Sequence, residues 1–124
     1  MQSKTIVITG ASDGIGLETA RVLRGQGHQV VLVGRNEIKT SAAARALSAP
    51  YAIADYADLR QVQALAQELR RDYPRIDVLC HNAGGLFGRR ERSRDGHQLT
   101  FQVNHLAPFL LTQLLLEQLI DNRT

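Results

Sequence analysis

The stretch from Lys4 to Gly16, KTIVITGASDGIG, limits what the chain can become more than any other. The β-branched run Ile6-Val7-Ile8 halts at three glycines spaced Gly10-x-x-x-Gly14-x-Gly16, and a helical pattern begins at once. Such a run reads as a fully buried strand ending in a tight turn. Glycine accepts φ > 0 and carries no side chain, so backbone N–H groups can close on an anion. The helix end behind them adds unsatisfied donors and a positive dipole end. The expected ligand is the phosphate of a nucleotide or dinucleotide. Taken alone, three glycines also suit a plain βα turn, and the rest of the chain must decide between the two.

Strand and helix patterns then alternate. Ile15, Thr19, Val22 and Leu23 fall at i, i+4, i+7 and i+8, which predicts an apolar helical stripe ending near Arg24, with Gly25 and Gly27 as stops. Val30 to Val33 reads as a second buried strand, closed by Gly34. Asn36 is suited to cap a short Ala-rich helix from Glu37 to Leu47, and a third strand is expected from Tyr51 to Ala54. Asp58 can cap a helix whose apolar positions are Leu59, Val62, Leu65, Ala66 and Leu69. Pro74 requires that helix to end near Tyr73. Ile76 to Cys80 reads as a fourth strand, and a long apolar helix is expected from about Gln98 to Ile120. Four strands separated by helices imply parallel pairing through right-handed crossovers, hence a doubly wound α/β sheet of Rossmann type in strand order 3-2-1-4.

Composition narrows the function classes. A chain of 124 residues is at most one domain. The formal charge of +3 comes from 15 basic against 12 acidic residues, scattered except around Gly88 to Arg94. That excess is too mild and too dispersed to point to nucleic acid, and Arg89, Arg90, Arg92 and Arg94 around Glu91 read as a solvated loop face. The lone Cys80 cannot form an intramolecular disulfide and is expected to be a buried thiol in a reducing compartment. No apolar run reaches the ~18 residues of a membrane span, no signal-peptide pattern is present, and no metal site is expected. The expected setting is the cytoplasm.

Four motifs then carry a resemblance. Thr9-Gly10-Ala11-Ser12-Asp13-Gly14-Ile15-Gly16, Asp55-Tyr56, Asn82-Ala83-Gly84 and Val103-Asn104-His105-Leu106, in that order, resemble successive landmarks of the short-chain dehydrogenase/reductase family. The wording VNHLAPFLLTQLLL is most similar to its retinol-dehydrogenase-like branch. The resemblance implies that Gly10, Gly14 and Gly16 hold a cofactor pyrophosphate, with Ser12, Asp13 and Ile15 beside it. It implies that Asp55 accepts from the adenine amino group, although a turn-forming Asp would look the same. Asn82 and Ala83 should lie at the mouth of the fourth strand, where Gly84 lets the cofactor ribose approach. Asn82 is expected to bond backbone across strands, and His81 to be a packed or hydrogen-bonded strand residue.

The end of the second strand should discriminate the two nicotinamide cofactors. A carboxylate there would accept from the ribose of NAD, whereas the 2′-phosphate of NADP needs a cation. Gly34 is followed by Arg35, so NADP is expected, with Arg35 as a charged partner of its phosphate.

In the family, Asn104 helps to bind a water of the proton relay. Pro108, four residues on, has no N–H to return to the Asn104 carbonyl, and the helix should kink or open there. The remaining apolar positions of this helix, Leu106 to Ile120, need cover on more than the sheet side, and self-association is the expected cover.

The family's acid–base chemistry uses a Tyr and a Lys four residues later. Tyr51, Tyr56 and Tyr73 are followed at that spacing by Asp55, Arg60 and Asp77, so no Tyr-x-x-x-Lys occurs in this sequence. The sequence ends where a fifth strand is expected to begin. Two expectations follow. The chain is the cofactor-binding half of an NADP-dependent oxidoreductase acting on alcohols or carbonyls, or it is a noncatalytic nucleotide-binding or dimerising module.

Overall fold

A computed structural model describes residues 2–88 and 90–120. Arg89 of the arginine cluster and residues 121–124, at the expected fifth strand, lie outside the described residues. The chain runs β1 (Thr5–Thr9), α1 (Gly14–Gly25), β2 (Gln29–Gly34), α2 (Glu37–Leu47), β3 (Tyr51–Ile53), α3 (Leu59–Asp72) and β4 (Val78–Cys80). Three helical pieces follow, α4 (Leu99–Phe101), α5 (Ala107–Leu114) and α6 (Leu116–Ile120), with a π-helical turn, Gln102–Leu106, between α4 and α5. All strand pairs are parallel, and the sheet order is β3-β2-β1-β4, as the sequence predicts.

Alternation along β1 and β2 splits the core into two layers. Val7, Val31 and Val33 point toward α3 and α5, where Leu65, Leu69 and Leu111 are fully buried. Ile6, Ile8, Val30 and Leu32 point the other way, against Ala20, Ala43 and Ala44 of α1 and α2. Each fully buried leucine contributes about 2 kcal/mol of burial free energy. α3 follows its pattern, with Val62, Leu65, Ala66 and Leu69 buried. The expected caps form as well: the Asn36 side chain accepts from the Lys39 N–H at 2.9 Å, and that of Asp58 accepts from the Arg60 N–H at 3.0 Å.

Three expectations are corrected. The face of α1 that meets the sheet is not the stripe of Ile15, Thr19 and Val22. Ile15 is 79% exposed and Val22 43%, while Gly16 and Ala20 are buried. The glycine turn brings the first turn of α1 against the backbone of Gly10, where only small residues fit, and the bulkier ones rotate outward. β4 is shorter than Ile76 to Cys80, because Ile76 is a buried residue ahead of the strand. Cys80 is half-buried rather than buried, since β4 lies at the edge of the sheet.

The single helix expected from Gln98 to Ile120 is divided. Its ladder widens at Gln102–Leu106, where the Ala107 N–H donates to the Gln102 carbonyl, an i→i+5 bond. This opening falls one turn ahead of Pro108, which cannot donate to the ladder. A second break follows at Leu115, whose φ and ψ of −103° and 10° are not helical.

Candidate functional site

The carboxyl ends of the strands open into one cleft of about 720 Å³. Thr9 and Gly10 line it from β1, Val33 to Arg35 from β2, Ala54 and Asp55 from behind β3, and residues 82–87 from behind β4. It straddles β1, from which the chain order runs outward in both directions to β2 and β4. That switch point is where open α/β sheets bind ligands.

The glycine turn builds one wall. Gly10 has φ of +65°, and a Cβ there would sit 2.9 Å from the Ala83 Cα. A Cβ on Gly16 would run into the Gly10 carbonyl oxygen and lie 2.5 Å from the Asn82 Nδ2. Strand, turn and helix therefore pack backbone to backbone, and a substituent at either position would force them apart. Asp13 stands at the N-cap of α1, yet its side chain makes no capping hydrogen bond. The first amides of a 12-residue helix thus face the cleft without a side-chain acceptor, a cradle suited to an anion.

The opposite wall is held by side chains. Thr9 Oγ1 accepts from the N–H groups of Asn82 and Ala83, both at 3.0 Å, and donates to the Cys80 carbonyl. Asn82 Nδ2 donates to the Gly10 carbonyl at 3.1 Å, the cross-strand backbone bond expected of it. Asn104 does not line the cleft itself. Its amide grips Gly85, accepting from the Gly85 N–H and donating to the Gly85 carbonyl, both at 2.8 Å. Gly84 is pressed against the same side chain, since a Cβ there would lie 2.9 Å from the Asn104 Oδ1.

Gln102, two residues earlier on the π turn, is fully buried. It accepts from the Ser93 hydroxyl at 2.5 Å and donates to the Tyr56 carbonyl at 3.0 Å and to Asp95 at 3.1 Å. The π turn therefore ties the loop after β4 to the loop after β3. Asp55 sits in that second loop, where its Oδ1 accepts from the Ala57 N–H at 2.9 Å, so it does turn the chain.

Of the residues singled out from the sequence, Gly10, Ser12, Asp13, Gly14, Ile15, Arg35, Asp55, Asn82, Ala83 and Gly84 line the cleft. Gly16 lies behind the turn and Asn104 behind Gly85. Sequence reasoning passed over Thr9, Lys39 and Gln102. The signal for Thr9 was a hydroxyl ending an otherwise apolar strand. The signal for Lys39 was its place in the first turn of α2, close behind Arg35. Gln102, one of several glutamines in the expected helix, gave none. Arg92 and Arg94 are exposed, as expected of a solvated loop, and Arg94 reaches the Asp58 carboxylate at 3.3 Å.

Two titratable groups bear on the chemistry. Burial pushes the Tyr56 phenol up to about 12, and the Thr9 hydroxyl beside it pulls the other way without reaching hydrogen-bonding geometry. Tyr56 thus stays protonated at neutral pH and cannot act as a base. His81 Nε2 lies 2.7 Å from the Thr112 Oγ1, which makes it the hydrogen-bonded residue expected, and burial lowers its imidazole below the ordinary 6.5.

Because the folded state prefers the neutral His81 ring, the unfolded chain takes up the proton first as pH falls through about 6.5. Stability is therefore expected to fall below that pH, until the folded ring protonates as well. Urea midpoints measured on either side of the window should show the loss, and His81→Gln should reduce it.

A cleft at the switch point of a four-stranded parallel sheet flanked by helices defines the class as Rossmann-type α/β. The family model for short chain dehydrogenase matches residues 4–124, and the chain belongs to that family. In an alignment of 129 positions that takes in 99% of this chain, it is 47% identical to a Streptomyces sp. (strain C5) protein named as a daunorubicin C-13 ketoreductase, of which it covers 45%. Retinol dehydrogenase 14 of Mus musculus is 38% identical in an alignment of 133 positions that covers 94% of this chain and 40% of the relative. A short chain dehydrogenase from Shigella flexneri, solved in complex with NADP, is 36% identical with a TM-score of 0.79. That match covers 94% of this chain and 53% of the other. The chain thus spans about half the length, or less, of these relatives.

Proposed function

We propose that the cleft binds NADP and that the chain supplies the cofactor-binding half of an oxidoreductase acting on alcohols or carbonyls. One observation carries the cofactor choice: Arg35, directly after Gly34 at the end of β2, lines the cleft where a preference for NAD would call for a carboxylate. The Shigella flexneri relative solved with NADP supports the same reading. On this reading the amides at Gly14 to Gly16 receive the pyrophosphate, and Arg35 pairs with the 2′-phosphate. Asp55 keeps one carboxylate oxygen in its turn and offers the other to adenine. Asn82, Ala83 and Gly84 border the nicotinamide ribose, and Asn104 holds that wall through Gly85. When bound, the cofactor would exchange a hydride at nicotinamide C4 with the substrate carbon, NADP accepting it from an alcohol or NADPH donating it to a carbonyl. Asn104 is the member of the family's catalytic set carried here, and no Tyr-x-x-x-Lys occurs in the sequence, so this chain by itself should bind without turning over.

The expected setting is cytoplasmic; no helix among the described residues is long and apolar enough to cross a membrane. Self-association through the helices from Leu106 to Ile120 suits their exposed side chains Phe109, Leu116 and Ile120.

Titration of the chain with NADPH, followed by nicotinamide fluorescence, should saturate; no saturable binding would remove the nucleotide reading. Arg35→Ala is expected to weaken NADPH about 10- to 100-fold, the worth of one charge-assisted contact, with NADH little affected. An unchanged NADPH/NADH ratio would remove the phosphate role of Arg35.

A further inference from the structure

Lys39 does not face the cleft as an unpaired cation. Its Nζ lies 2.6 Å from the Asp13 Oδ2, an ion pair that joins the first turn of α2 to the glycine turn ahead of α1. Both residues line the cleft beside Arg35 and Asn36. The backbone of Lys39 is pinned, because its N–H is the donor that the Asn36 cap holds. Asp13 is equally committed, since its side chain leaves the helix amides uncapped and turns to Lys39 instead. The other carboxylate of this turn, Glu37, accepts from the Tyr51 hydroxyl at 3.2 Å.

We infer that Asp13 is a specificity-determining residue, whose carboxylate holds down the preference of the cleft for a 2′-phosphate by competing for Lys39. The inference rests on the reading of the cleft as an adenosine cofactor site. A phosphate arriving between Arg35 and Lys39 meets two cations and one anion. It must displace the carboxylate from Lys39 or remain beside a like charge, and either course costs binding free energy. An adenosine ribose that carries only a hydroxyl there pays no such cost, because the carboxylate can accept from the hydroxyl. Asp13 therefore works against Arg35, narrowing the gap between the phosphorylated and unphosphorylated cofactors.

The side chains of Asp13 and Lys39 are 68% and 54% exposed, so their exchange should leave the fold intact and the effect should be that of a solvent-screened pair. The probes are 2′,5′-ADP and 5′-AMP, titrated calorimetrically against the chain at low salt. Asp13→Asn is expected to tighten 2′,5′-ADP about three- to fivefold relative to 5′-AMP, read as the ratio of the two dissociation constants. In a Lys39→Met background that gain should shrink. At about 1 M salt, where screening acts over about 3 Å, it should vanish.

If Asp13→Asn leaves 2′,5′-ADP binding relative to 5′-AMP unchanged or weaker while Arg35→Ala still abolishes the advantage over 5′-AMP, the role of Asp13 is refuted and the cofactor site stands. If the unsubstituted chain and Arg35→Ala treat the two probes alike, the cofactor reading itself falls, and the role of Asp13 with it.

Discussion

Gly16→Ala should destabilise the chain by about 3 kcal/mol and weaken NADPH binding more than tenfold. A Cβ at residue 16 would overlap the carbonyl oxygen of Gly10 and crowd the Asn82 amide. The first obstacle is backbone, so no rotamer change relieves it. The helix must lift off the turn, and lifting it breaks the Asn82–Gly10 bond and displaces the amides that face the cleft. Gly25 provides the control. It ends the same helix, and a Cβ there meets nothing within 4 Å. Gly25→Ala should therefore be neutral or stabilising by up to about 1 kcal/mol, through helix propensity and the unfolded chain. Denaturant midpoints for the two variants would separate a packing requirement at Gly16 from a general intolerance of α1. Equal effects would refute the packing argument.

The second large effect is expected at Thr9. Thr9→Val keeps the shape of a side chain that is 1% exposed and removes its hydroxyl. Two amide donors, of Asn82 and Ala83, then lose their acceptor, and the Cys80 carbonyl loses a donor at 3.4 Å. Leaving groups of this kind unpaired costs about 1–3 kcal/mol each, so a total of about 2–4 kcal/mol is expected, given that the site is only partly buried. Thr9→Ser should recover most of it, since the bonds belong to the oxygen. The loss should also reach the ligand. Residues 82–84 would no longer be held against β1, and NADPH affinity should fall in Thr9→Val and return in Thr9→Ser. A valine variant as stable as the parent chain would mean that water replaces the hydroxyl.

These two positions mark where sequence reasoning was strong and where it stopped. Gly16 stood in a motif, and the strand, turn and helix around it follow from local chemistry: β-branched residues that stop at glycine, then a helical period. The caps at Asn36 and Asp58 and the end of α3 before Pro74 were legible for the same reason, as each is settled within a few residues along the chain. The opening of the ladder ahead of Pro108 also followed from one missing N–H, although its form as a π turn rather than a kink did not. Thr9 was different. Its partners lie 73 and 74 residues away, and a hydroxyl at the end of a strand says nothing about them.

The same distance in sequence hid Lys39 and Gln102. Lys39 meets Asp13 across 26 residues, and Gln102 meets Tyr56 across 46. The stripe assigned to α1 failed for a related reason. Helical period alone ranks faces by apolarity, and here the face is chosen by how closely Gly16 and Ala20 let the helix approach the sheet.

The sequence by itself therefore determined the element order, the parallel sheet and the glycine turn ahead of α1, because hydrophobic period, glycine and proline act over a few residues. Only the tertiary structure decided which polar groups close the cleft and which charge answers Lys39. Those choices depend on contacts of about 3 Å between elements that the chain brings together from far apart.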